Sequence, residues 1–226
     1  MEEETRRLAA MIDHTLLKPD ATPAQIQRLC AEAVQHGFWA VCVNPAYVRL
    51  AAGLVAGSAV RVCAVAGFPL GASVTEVKAH EARRAIADGA REIDMVLNIG
   101  ALKAGDLDAV QADIAGVVAV CHQAGAICKV ILETGYLTGE EKVAACRRAV
   151  AAGADFVKTS TGFGPGGATA ADVALMRAAV GPAVGVKAAG GIRTYQAARE
   201  MVAAGANRIG ASASVQIVLE MRGASA

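Results

Sequence analysis

The chain has 226 residues, 54% of them hydrophobic and 19% charged, which excludes a disordered polymer and suffices for one large domain or two small ones. A formal net charge of +1 supplies no bulk attraction to nucleic acid or to an anionic membrane, so any anion has to be recognised locally. The apolar stretches around Leu54 and Val118 are cut by Arg49, Arg61, Asp113 and His122 before the roughly 18 to 20 residues of a membrane span, and the acidic start "MEEETRRLAAMIDHT" lacks the apolar core of a signal peptide; a cytoplasmic protein is expected.

In chain order, short apolar runs predict strands near residues 11–15, 39–43, 61–66, 92–98, 127–133, 156–159, 184–188 and 207–211. An Ala-rich stretch of helical length follows each, least clearly after the second. Thr22-Pro23 reads as an N-cap with proline in the first turn, and Ser73 with Glu76 reads as a capping box. Gly89, Gly125, Gly153 and Gly205 suit the left-handed residue that stops a helix, and each opens the same plan of link, strand and polar turn. Eight such units predict parallel βα repeats with right-handed crossovers, the number of a single (β/α)8 TIM barrel spanning residues 1–226. An open doubly wound sheet stays possible at this point, because periodicity does not report closure. The six cysteines lie inside these elements without a C-x-x-C pair, and the four histidines are scattered, so neither a disulfide framework nor a metal site is expected.

Alternation along the strands separates an apolar face from a polar one. Asp13 and Thr15, Cys42 and Asn44, Glu92 with Asp94 and Asn98, Lys129 and Glu133, Lys158 and Ser160, Lys187, and Arg208 with Ser212 fall on the polar side. With the apolar side against the helices, these residues line the barrel and its mouth. For Glu92, Lys129, Glu133 and Arg208, buried structural ion pairs account for the pattern as well as function does.

Lys158 and Lys187 carry the chemical signal. Each ends a strand, in "DFVKTSTG" and "VGVKAAGG", and the two strands are neighbours in a barrel. An amine attacks a carbonyl only when neutral, and a nearby cation or desolvation favours that form. Two lysines side by side, with Asp94 on the fourth strand to hold the remaining cation and carry protons, are what Schiff-base chemistry requires. The loops "TSTGFGPGG", "AAGGIRT" and "GASASV" follow the last three strands, where glycine backbones and helix N-termini suit a phosphate. A phosphorylated carbonyl compound is the implied substrate class.

"DHTLLKPDAT", "VCVNP", "GFPLG", "EIDMVLNIG", "KVILETGYLT", "DFVKTSTGF" and "VGVKAAGGIRT" together resemble, in order, the motifs of the deoxyribose-phosphate aldolase family, from Asp13 to Ser212. The resemblance implies a class I aldolase that reversibly cleaves 2-deoxy-D-ribose 5-phosphate to acetaldehyde and D-glyceraldehyde 3-phosphate without metal or other cofactor. It implies Lys158 as the Schiff-base residue, Lys187 as the cation beside it, and Asp94 as its partner in proton transfer. By the same resemblance Asp13, Cys42 and Thr161 face the substrate, Gly162, Gly190, Gly191 and Ser212 hold phosphate, and the protein is a homodimer or larger homo-oligomer.

Two positions depart from the family pattern. Phe163 stands where some members carry lysine, and Ala213 stands where a second serine is common; both bear on phosphate affinity and on tolerance of unphosphorylated aldehydes. For His14 a core or capping hydrogen bond is expected. The rival readings are a sugar-phosphate isomerase, a keto-acid aldolase, and a non-catalytic phosphate sensor on a barrel scaffold.

Overall fold

The structure, a computed structural model, describes residues 2–223. Eight parallel strands close into a barrel: β1 (Ile12–Leu16), β2 (Ala40–Val43), β3 (Arg61–Ala66), β4 (Glu92–Val96), β5 (Ile127–Ile131), β6 (Phe156–Lys158), β7 (Gly185–Ala189) and β8 (Arg208–Ala211). The pairing of β1 with β8, Ile12 opposite Ile209 and Asp13 opposite Gly210, closes the ring and excludes an open sheet. The helices are α1 (Glu2–Ala9), α2 (Pro23–His36), α3 (Val48–Leu54), α4 (Thr75–Ala87), α5 (Ile99–Lys103), α6 (Leu107–Gln123), α7 (Gly139–Ala151), α8 (Ala170–Val180), α9 (Tyr195–Ala203) and α10 (Ser214–Gly223). A single 3-10 turn, Pro45–Tyr47, precedes α3, which accounts for the weak helical signal there. No helix among the described residues is long and apolar enough to cross a membrane.

Local chemistry sets several boundaries. Thr22 caps α2 in a complete capping box with Gln25, with Pro23 in the first turn. Gly89, Gly125, Gly153 and Gly205 all take positive φ just past a helix end, as expected of left-handed stops. The Ser73–Glu76 box does not form. Helix α4 starts one residue later, with Val74 at the cap and no side-chain cap, and the Thr75 hydroxyl donates to Asp113 Oδ1 on α6 (3.0 Å).

Outward strand residues such as Val41, Ile93, Val130, Val157, Val186 and Ile209 pack on the helices as one continuous core. Inside the barrel the strands divide. β2 and β3 contribute Ala40, Cys42, Cys63 and Val65 to a small apolar cluster with Leu17. The remaining strands turn charged side chains inward. The six cysteines are free and buried, three on strands and three on helices as their settings predict.

Candidate active site

The interior charges stack in layers along the barrel axis. At the base, Arg208 Nη1 donates to Glu92 Oε2 (3.0 Å) and Asp13 Oδ1 (2.9 Å), while its guanidinium lies 4.5 Å from the Trp39 ring centroid. Lys129 Nζ sits above, 2.7 Å from Glu92 Oε2 and 2.7 Å from Asp94 Oδ1. At the top, Lys187 Nζ donates to Asp13 Oδ2 and to Asp94 Oδ2 (2.8 Å). Lys158 Nζ donates to that same Asp94 oxygen, also at 2.8 Å. Lys158 and Lys187 are Cα partners across β6 and β7, so the register itself aims both amines at one carboxylate. Gly210 leaves room for Lys187: a Cβ there would stand 3.0 Å from Lys187 Cε.

Burial alone would drive Asp94 towards its neutral form, but Lys129, Lys158 and Lys187 outweigh it and hold its carboxyl well below the usual carboxylate range. Burial likewise favours neutral Lys187, yet Asp13 and Asp94 prevail and raise it above an ordinary lysine, making it a standing cation. Asp13 is kept ionised in the same way, burial being overcome by Lys187, Lys129 and Arg208. Burial, then the neighbouring Cys42, push the Cys63 thiol up; it donates to Asp94 Oδ1 (3.1 Å).

The buried network holds four cations, Lys129, Lys158, Lys187 and Arg208, against three carboxylates, Asp13, Glu92 and Asp94, and the more exposed Arg61 reaches Glu92 as a fifth (3.5 Å). Glu133, which strand alternation places among the inward charges, lies outside it. β5 ends at Ile131, and Glu133 turns into a left-handed conformation (φ 58°) where its carboxylate accepts from Thr161 N (3.2 Å) and Thr161 Oγ1. Asn98 departs similarly: β4 ends at Val96, and Asn98 caps α5 through Ala101 N (3.0 Å). Asn44 donates to Leu17 O, and His14 bridges Ser214 Oγ (3.0 Å) and Glu32 Oε2 (2.8 Å), the core hydrogen bonding expected of it.

Above Lys158 a cavity of about 300 Å3 opens at the C-terminal ends of the strands. Lys158, Thr161, Gly162, Gly190, Gly191 and Ser212 all line it, together with Lys18 and Arg193. The loops after β6 and β7 meet backbone to backbone, Ala168 N donating to Gly190 O (2.9 Å), and a Cβ on Gly167 would collide with that carbonyl. Lys18 and Arg193 escaped sequence reasoning, although the basic residues in "LLKPD" and "GGIRT" were the available signal. They bring positive charge to a rim that also holds Phe163. Asp13 and Cys42 do not reach this cavity; both are wholly buried, Asp13 beneath Lys187 and Cys42 against Cys63 on β3.

Cys42, Cys63 and Asp94 could present three ligand atoms to a metal, as could Asp13, Cys63 and Glu92. In either place an added cation would meet Lys129, already 2.7 Å from Asp94 and from Glu92. The donor sets are thus committed to ammonium groups.

A model of the DeoC/LacD family aldolases matches residues 7–225. The chain belongs to that family. This aldolase is 61% identical over 219 residues to a deoxyribose-phosphate aldolase of Thermococcus gammatolerans, covering 96% of this chain and 97% of the relative. It is 62% identical over 208 residues to one of Brevibacillus brevis, covering 92% and 93%. Its barrel superposes on the tetrameric deoxyribose phosphate aldolase of Aeropyrum pernix with a TM-score of 0.91 at 36% identity, covering 96% of this chain and 92% of that one. As a member it is a carbon–carbon lyase, and the doubly wound alternative has no place in its fold.

Proposed function

We propose that this aldolase reversibly cleaves 2-deoxy-D-ribose 5-phosphate to acetaldehyde and D-glyceraldehyde 3-phosphate through a Schiff base on Lys158. The observation that carries the assignment of Lys158 is the distribution of carboxylates. Lys129 and Lys187 each face at least two, whereas Lys158 has only the Asp94 oxygen that it shares with Lys187, and it alone of the three lines the open cavity. Cations outnumber carboxylates in the network, and Lys158 is the one with the least claim on an acceptor.

Neutral Lys158 Nζ attacks C1 of the open-chain aldehyde, and loss of water leaves an iminium. The bond that breaks is C2–C3, because only its electrons flow into the C1 iminium to form an enamine; C3–C4 lies one bond too far. The C3 hydroxyl loses its proton as the glyceraldehyde phosphate carbonyl forms. Protonation of the enamine at C2 and hydrolysis release acetaldehyde and the amine. Asp94 serves as the proton carrier in this reading: once the Lys158 nitrogen is bonded to substrate and moves off, the carboxylate loses a cation and becomes a better base. Lys187, held positive by Asp13, keeps Asp94 oriented. Acid–base assistance of this kind contributes about 10²–10⁴-fold.

The cluster of Gly162, Gly190, Gly191 and Ser212 with Lys18 and Arg193 supports a phosphate seat, Thr161 supports a hydroxyl contact, and Asp13 acts through Lys187. Cys42 stays in the buried apolar cluster with Cys63 and makes no substrate contact in this reading. The iminium supplies the electron sink, so no metal or cofactor takes part. The same reading has the protein work in the cytoplasm with small aldehydes and sugar phosphates, without a nucleic-acid or membrane partner, as a homodimer or larger homo-oligomer. The tetrameric Aeropyrum relative supports the last point.

Borohydride reduction in the presence of acetaldehyde, with peptide mass mapping, tests the assignment. An ethyl group on Lys158, absent from Lys158→Arg, is the expected result; a label on Lys129 or Lys187 overturns it. Acetaldehyde release unchanged by chelator is expected in parallel.

A further inference from the structure

Asp94 draws its hydrogen-bond donors from two sides of the barrel. Lys129, Lys158 and Lys187 reach it from β5, β6 and β7, and the Cys63 thiol reaches it from β3. The donors divide evenly between its oxygens. Lys129 (2.7 Å) and Cys63 (3.1 Å) donate to Oδ1, while Lys158 and Lys187 (2.8 Å each) donate to Oδ2. A carboxylate offers about four lone-pair positions, so this set fills it. Lys129 Nζ in turn donates to Cys63 Sγ (3.3 Å), so the thiol is held by the ammonium whose acceptor it shares.

Strand register gives this contact to Cys63. Lys129 lies directly opposite Asp94 on β5, but the β3 residue opposite Asp94 is Val65, which has no side-chain donor. Cys63, two residues earlier and on the same face, stands opposite Glu92 on one side and Cys42 on the other. It belongs to the apolar cluster of β2 and β3, yet its thiol is the one β3 donor to Asp94 among the described residues. Without it Oδ1 would rest on Lys129 alone, and Lys129 also serves Glu92 Oε2 (2.7 Å). Burial keeps the thiol protonated well above the ordinary cysteine range, so it remains a donor at neutral pH.

We propose that Cys63 is a positioning residue for the aldol chemistry, its thiol fixing Asp94 Oδ1 so that a proton is taken up at Oδ2. This rests on the Schiff-base reading above. When the Lys158 nitrogen bonds to substrate and moves off, Oδ2 loses a donor while Oδ1 keeps both of its own. The proton leaving the C3 hydroxyl then has a single open position, on the oxygen that faced Lys158. Without the thiol, Oδ1 opens as well, and the carboxylate is free to turn about its soft terminal torsion. Cys63 does not line the lysine cavity and acts only through Asp94.

The test is deoxyribose 5-phosphate cleavage by Cys63→Ala, Cys63→Ser and Cys128→Ala, with kcat and KM followed from about pH 5 to 9. Cys63→Ala is expected to lower kcat about tenfold while KM stays within about twofold. Losing a donor to the charged form favours protonated Asp94, so the acid limb of kcat should move up by about one pH unit. Lys129, Lys158 and Lys187 also face Asp94, with the Cys42 thiol of β2 within 4.8 Å and Asp13 of β1 beyond Lys187. Glu92 of its own strand and Arg208 of β8 pair below it. All of these are common to the variants, so a difference between variants reports the thiol. Cys63→Ser keeps a donor on Oδ1 and should bring kcat back to within about twofold and return the limb. Cys128→Ala removes an equally buried strand thiol that faces the helices, and should leave both unchanged. An unmoved limb in Cys63→Ala, an equal shift in Cys128→Ala, or no recovery in Cys63→Ser overturns the role. Borohydride trapping separates the two readings. Lys158 labelled in every variant with an unmoved limb removes only Cys63; no label on wild-type Lys158 removes both.

Discussion

Lys158 and Lys187 face each other across β6 and β7 in direct register and donate to a single oxygen, Asp94 Oδ2, at 2.8 Å each. The shared acceptor couples them: whatever changes the charge of one alters the hold on the other. Their support is unequal: Lys187 has Asp13 as well as Asp94, whereas Lys158 has Asp94 alone.

Removing the Lys187 cation should therefore silence the other lysine. Lys187→Gln is expected to lower kcat/KM for deoxyribose 5-phosphate cleavage by about 10²-fold or more. It should also move the pH dependence of borohydride trapping at Lys158 to higher pH. Trapping with an unchanged pH profile would mean that Lys187 does not govern Lys158.

In the proposed reading Lys18 and Arg193 are the cationic side chains at the phosphate end of the cavity, position 163 being phenylalanine. Arg193→Ala is expected to raise KM for deoxyribose 5-phosphate about ten- to a hundredfold, with kcat little changed and unphosphorylated deoxyribose unaffected. Steady-state kinetics on the two sugars reads this directly. Equal losses on both would place Arg193 outside the seat.

A second buried ion pair lies away from the chemistry. Lys78 Nζ donates to Asp113 Oδ2 (2.6 Å) and to Val96 O (3.0 Å), tying α4 to α6 and to the end of β4. Asp113→Ala strands a buried ammonium and should cost about 3–5 kcal/mol in urea unfolding, whereas Lys78→Met with Asp113→Leu should recover most of that loss. Cleavage activity per folded molecule should stay near wild type in both.

Acid should weaken the fold through His14. Burial lowers its folded-state pKa below the ordinary 6.5, more than the Glu32 hydrogen bond raises it. The unfolded chain then binds the proton more readily, so the stability is fully present above about pH 6.5 and is lost as pH falls through the unfolded value towards the lower folded one. Urea midpoints between pH 7 and 5 should drop more steeply for wild type than for His14→Gln. Parallel curves would assign the acid sensitivity elsewhere.

Much of this architecture was legible because strand alternation is a local property. "EIDMV" places Glu92 and Asp94 on one face whatever the rest of the chain does, and the glycines after the helices repeat the unit often enough to count it. Alternation does not say where a strand stops. Extended by two residues, it carries Asn98 and Glu133 into the barrel, whereas the backbone turns at Val96 and Ile131 and spends those side chains on a helix cap and a loop. The Ser73 box did not form: α4 begins one residue later, with Val74 at the cap, and Thr75 bonds to Asp113 on α6. Lys78 reads as an ordinary solvated helix lysine, and only the packing of α4 on α6 buries it.

By itself the sequence determined the strand count, the inward and outward faces, the helix stops and the two lysines that end β6 and β7, since each follows from neighbours within a few residues. Closure of the barrel, the pairing of Asp13 with residues 174 and 195 positions away, the surplus of cations, and the reach of Cys63 to Asp94 came only from the tertiary structure. These depend on distances between segments far apart in the chain, and electrostatic energy is set by distance and burial, not by order along the sequence.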